Sequence, residues 1–150
     1  MRTVFIVLLS FFANNVCFCQ TPINIDTLSF SIKVTKKKSV LRSFDLLLQT
    51  EKIFPNKNNM INSNFWKHGN DIGIAIYSIA IPEIRVYAIG PASQYFDLGV
   101  MKNGKYDILL TKGMEKSRCI LIIRRNYYKL IVLERAFLAN EPCMKSIIPK

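Results

Sequence analysis

Residues 119–135 constrain the chain most. Two runs rich in Ile, Leu, Val and Tyr flank Arg125-Asn126. A two-residue turn there sets Ile123 against Tyr128, Leu121 against Leu130 and Cys119 against Val132. That face of the hairpin is wholly apolar, so it belongs on a core. The opposite face carries Arg118, Arg124, Tyr127 and Lys129, with Ile120, Ile122 and Ile131 among them. It reads as a mixed basic, aromatic and aliphatic surface. A chain holding this hairpin needs an antiparallel sheet, and the remaining segments must complete and cover it.

Several segments supply further strands. Residues 27–34 alternate, with Leu28, Phe30, Ile32 and Val34 on one side and polar residues on the other; this is a half-buried strand. Residues 71–81 are apolar on both faces, as a central covered strand would be. Pro82 breaks that run, and residues 83–89 follow as a second strand. Asn103-Gly104 signals a hairpin. A three-residue loop, Lys102-Asn103-Gly104 with Gly104 left-handed, pairs Val100 with Tyr106, Leu98 with Ile108 and Phe96 with Leu110. Residues 55–71, rich in Asn and Lys, read as the longest loop, pinned by Phe65-Trp66.

Residues 40–52 are ambiguous. Val40, Leu41, Phe44, Leu47 and Leu48 recur at helical spacing behind a capping Ser39, which predicts an amphipathic helix. The competing strand runs through Phe44, Leu46 and Leu48. The expected fold is therefore α+β, with one early helix packed on a curved antiparallel meander of about six or seven strands. An all-β sandwich or barrel is the alternative. No internal repeat, low-complexity tract or domain boundary interrupts the chain.

The first residues read as an export signal. Arg2 precedes an apolar run, residues 3–13, that Asn14-Asn15 end at about half the roughly 20 residues a membrane span needs. Cys17 and Cys19 supply small residues at −3 and −1, placing cleavage between Cys19 and Gln20. The expected division is a signal peptide at 1–19, a mobile mature terminus at 20–26 and a single domain at 27–150. The expected location is secreted or periplasmic, with no transmembrane span after cleavage. Of four cysteines, cleavage leaves Cys119 and Cys143, an even pair that reads as one disulfide in an oxidising compartment. Such a bond would close a loop of about 25 residues and contribute on the order of 3 kcal/mol.

The formal net charge is +11, which favours anionic partners. One cluster stands out: Lys36, Lys37 and Lys38, with Lys33 and Arg42 beside it. Retention on an anionic polymer or lipid surface would use Lys36, Lys37, Lys38 and Arg42. Arg124-Arg125-Asn126-Tyr127-Tyr128-Lys129 interleaves basic and aromatic residues as single-strand binders do, but export argues against nucleic acid.

Catalytic patterns are sparse. The chain has one histidine, His68. Cys119, His68 and Asp71 can be assembled on paper as nucleophile, base and orienting group, yet Cys119 falls on the core face of its strand. Asp97 and Asp107 fall on one solvent face, where solubility accounts for them as well as paired-acid hydrolysis does. No phosphate loop, dinucleotide glycine pattern or HExxH is present. Two cysteines and one histidine without close spacing exclude a zinc centre, and no cofactor is expected. The expectation is a small exported non-enzymatic binding or interaction module, of the inhibitor, immunity-type or accessory envelope kind. Its partner would be a protein or an anionic envelope component, met by Arg118, Arg124, Arg125, Tyr127 and Lys129. A binder of anionic surfaces and a hydrolase using the His68 loop are the alternatives.

Overall fold

Alternating apolar side chains bury one face of a sheet only if the sheet packs on something, and here it packs on itself. The computed structural model describes residues 23–40, 42–81, 88–139 and 143–146. The signal peptide expected at 1–19 and the strand expected at 83–89 lie outside these residues, apart from Ala88 and Ile89. Among the described residues there are nine strands and no helix. They are β1 (Phe30–Lys36), β2 (Ser43–Phe54), β3 (Met60–His68), β4 (Asp71–Ala80), β5 (Gly90–Val100), β6 (Gly104–Lys112), β7 (Glu115–Ile123), β8 (Tyr127–Arg135) and β9 (Cys143–Ser146). They form one sheet in the order β1-β2-β5-β3-β4-β6-β7-β8-β9.

The sheet curls until its ends nearly meet. Phe30 N–H donates to the Phe137 carbonyl at 2.9 Å and the Phe30 carbonyl accepts from Ala139 N–H at 2.9 Å. The two phenyl rings meet edge to face, with centroids 5.9 Å apart. The result is a nearly closed barrel with one apolar interior, in which Phe30, Phe44, Leu46, Leu48, Leu110, Leu121 and Ile123 are fully buried. Curling removes most of the free edge and lets every strand share one core.

The early helix is corrected to β2. Phe44, Leu46, Leu48 and Thr50 face the interior in strict alternation. Leu47, counted toward the helical stripe, lies on the outer face between Lys33 and Tyr95, and Val40 is exposed. A run of three leucines supports either period, and the partners decide. With β1 on one side and β5 on the other, both edges of β2 are hydrogen-bonded; a helix would leave those strands unpaired.

The expected meander is corrected as well. The chain turns at 101–103, but β5 and β6 do not pair, because the β3–β4 hairpin lies between them in the sheet. β6 runs parallel to β4, with Asp71 level with Asp107, and β3 touches β5 in parallel at Met60 and Ser93. The left-handed glycine is Gly99 (φ 69°), not Gly104. The loop expected at 55–71 is mostly β3. Its polar outer residues, Asn62 and Asn64, hid an inward alternation through Ile61, Ser63 and Phe65. By contrast, the β7–β8 register is the one read from sequence, with Ile123 opposite Tyr128, Leu121 opposite Leu130 and Cys119 opposite Val132.

Residues 23–26 lie against the barrel. Ile23 and Ile25 pack against the core, and the Lys112 amine donates to the Asp26 and Leu28 carbonyls at 2.8 and 3.1 Å. Among the described residues no helix is long and apolar enough to cross a membrane.

Candidate functional site

The cysteine pair fails on geometry. Cys119 lies on β7 and Cys143 on β9, with β8 between them, Val132 opposite the first and Leu130 opposite the second. Two inter-strand steps are about 9.5 Å, beyond the roughly 7 Å that a disulfide spans between Cα atoms. Cys119 is a free thiol, buried to 1 % exposure. Burial pushes its pKa up to about 12, so it stays protonated and unreactive. It faces the interior, opposite to the side that carries His68 and Asp71, and the nucleophile of the paper assembly is therefore out of reach.

Within the lysine cluster, Lys37 and Arg42 take partners in the fold. Lys37 binds Asp97 at 2.7 Å and Asp45 at 3.2 Å. The Asp97 contact is the main cause raising the Lys37 pKa above its ordinary value. The same contact, with the Gly99 N–H, holds the Asp97 carboxyl below the usual carboxylate range. Arg42 adopts a left-handed conformation (φ 62°) and donates to Asn103 Oδ1 at 2.7 Å. Lys36 and Lys38 remain at that turn and make no ion pair among the described residues. The basic residues of the β7–β8 hairpin separate too. Arg124, Arg125, Tyr127 and Lys129 stay near its tip, whereas Arg118 sits far down β7 beside Glu134, 3.7 Å away.

What the fold does assemble is a different outer face. The β3–β4 hairpin turns at Gly69-Asn70, where Gly69 supplies φ 59°. That turn sets Trp66 opposite Gly73, and the indole lies flat on the glycine backbone. A Cβ built on Gly73 would overlap the indole at Cε2, Nε1 and Cζ2. Gly73 is thereby buried, while 48 % of Trp66 remains exposed. The register carries this row across the sheet, from Trp66 to Gly73, Leu109, Arg118 and Glu134. The adjacent row runs His68, Asp71, Asp107, Ile120 and Ile131.

Between these rows lies a cleft of about 400 Å³, lined by Trp66, Asp71, Asp107, Leu109, Lys116 and Arg118 among others. Asp71 and Asp107 are direct neighbours in the parallel ladder. Among the described residues neither carboxylate makes an ion pair or a side-chain hydrogen bond. Like charges set side by side on a sheet face cost a few tenths of a kcal/mol to about 1 kcal/mol. In a chain with 21 Lys and Arg residues, that unrelieved pair has no evident structural use. His68 stands at the end of β3, exposed and opposite Asp71. No group of three or more metal-ligating side chains occurs among the described residues.

A second depression, about 540 Å³, lies where β3 and β5 separate, lined by Asn58, Asn59, Met60, Ser93, Gln94 and Tyr95. Asn59 Oδ1 and the neighbouring Asn56 Nδ2 are buried there without a partner among the described residues.

Of the residues singled out from sequence, the Trp66 cleft takes in Arg118, Asp71 and Asp107 and none of the others. Sequence reasoning missed Trp66 and Gly73 as a pair. The available signal was Gly69-Asn70, a two-residue hairpin dipeptide that, once centred, puts Trp66 across from Gly73. The chain matches no protein-family model, no curated protein and no solved structure.

Proposed function

We propose that this protein is an exported, non-enzymatic binding module whose contact surface is the outer face of β3, β4, β6 and β7 around Trp66. The single observation that carries this is the indole laid on Gly73 beside the unpaired carboxylates of Asp71 and Asp107. A large, rigid aromatic with half its surface in water contributes contact area at small entropic cost. Its orientation is set by the sheet beneath it, and charged groups of both signs ring it. Export rests on residues 1–19 alone, since the cysteines do not pair.

Capture of envelope components on immobilised mature protein tests the assignment. Asp107→Lys should abolish retention of the bound component, whereas Arg124→Glu combined with Lys129→Glu should leave it intact. Retention lost only in the hairpin-tip double variant would transfer the site to Arg124, Arg125, Tyr127 and Lys129.

A further inference from the structure

The geometry points to a ligand class for the Trp66 cleft: a neutral pyranose ring of a glycan, stacked on the indole and held by its hydroxyls between Asp71–Asp107 and Lys116–Arg118. This rests on the contact surface proposed above. The elimination runs through charge. Asp71 and Asp107 line the cleft from β4 and β6, while Lys116 and Arg118 line it from β7. An anion meets the two carboxylates, a cation meets the two basic groups, and an apolar group would strip water from four charges without replacing its hydrogen bonds. A hydroxyl both donates and accepts, so a polyhydroxylated neutral ligand satisfies both sides.

The spacing and the platform agree. Two carboxylates one strand apart stand about 4.8 Å from each other at the backbone. Adjacent ring hydroxyls can each donate to one of them, in charge-assisted bonds stronger than neutral ones. Lys116 and Arg118 then donate to hydroxyl oxygens on the far side. The indole face carries the negative lobe of its quadrupole, which attracts the weakly positive C–H face of a sugar ring. The Trp66 indole packs against the Gly73 backbone and is still 48 % exposed, which leaves aromatic surface open to stacking. Hydroxyl donors would give charge-assisted partners to two carboxylates that make no ion pair among the described residues.

Trp66 is the only tryptophan, so its emission reports the cleft directly. The mature protein is titrated separately with oligomers of α-glucan, β-glucan, mannan and chitin. At least one should shift the Trp66 emission saturably, and the response should survive about 0.5 M salt because the ligand is neutral. Asp107→Asn should weaken that binding by about tenfold or more while leaving the melting temperature equal or higher. Trp66→Ala, which uncovers Gly73, is read by calorimetry only if circular dichroism shows it folded. No response to any of the four oligomers overturns the glycan assignment. So does a response that Asp107→Asn leaves unchanged. If envelope capture still depends on Asp107 while no oligomer binds, the contact surface stands and the ligand class falls. If capture is also indifferent to Asp107, both fall.

Discussion

Lys112 shows how a single side chain can close one end of the barrel. It points inward at the end of β6 and is 3 % exposed. Its amine donates to the Asp26 and Leu28 carbonyls, pairs with Glu115 Oε2 at 2.8 Å and sits 5.2 Å from the centre of the Phe137 ring. Lys112→Met keeps the stem but removes the donor from the buried Leu28 carbonyl and the part-buried Asp26 carbonyl. We expect a loss of about 2–4 kcal/mol in urea unfolding, whereas Glu115→Gln, removing a half-exposed partner, should cost less than about 1 kcal/mol. Cys119 gives the pH counterpart. Its folded pKa is raised from 9.0 to about 12 by burial, so the folded state holds its proton where the unfolded state releases it. Stability from this group is full below about pH 9 and is lost as pH rises toward 12. Cys119→Ala should flatten that alkaline decline, and in a Cys143→Ser background an aromatic disulfide reagent at pH 8 should label Cys119 no faster than the protein unfolds. Neither residue was legible in its role. A lysine in the sequence 110–115 reads as solvated, and an even cysteine count suggests a bond until strand order places β8 between the two.

At the scale of elements, legibility followed how much of a strand's partner lies next to it in sequence. The β7–β8 hairpin could be read to the residue because a two-residue turn and an unbroken apolar face leave one register. β2 could not, because Leu46-Leu47-Leu48 satisfies two periods and its partners, β1 and β5, are separated from it by a turn and by 35 residues of chain. β3 was hidden by its own outer face, since Asn62 and Asn64 are poor strand formers on intrinsic preference. The β3–β4 hairpin is also where the candidate site is made. Gly73→Ala should drive the indole off the sheet, since its Cβ would overlap the ring. The expected result is a red-shifted Trp66 emission and a loss of about 1–3 kcal/mol. An unchanged emission spectrum would show that Trp66 does not lie on Gly73.

For the whole molecule, the topology was the least legible level. Each of β5 and β6 carries a sound strand pattern around a sound turn, and nothing local says that another hairpin inserts between them. That choice is made by long-range packing. The β3–β4 hairpin brings Ile61, Ile72, Ile74 and Ile76 into the shared core, and Lys67 donates to the Leu98 carbonyl at 2.6 Å where β3 and β5 have separated. The insertion sets β4 beside β6, which joins Asp71 to Asp107 and creates the cleft. A plain meander would leave those carboxylates far apart, so site and topology stand or fall together. The most direct measurement is a ¹H–¹⁵N correlation spectrum of the mature protein titrated with an envelope polysaccharide fraction. Shift changes should concentrate at the Trp66 indole N–H and at the amides of Asp71, Gly73, Asp107, Leu109 and Arg118. Changes confined to residues 124–129 or 36–42, or no changes at all, would contradict it.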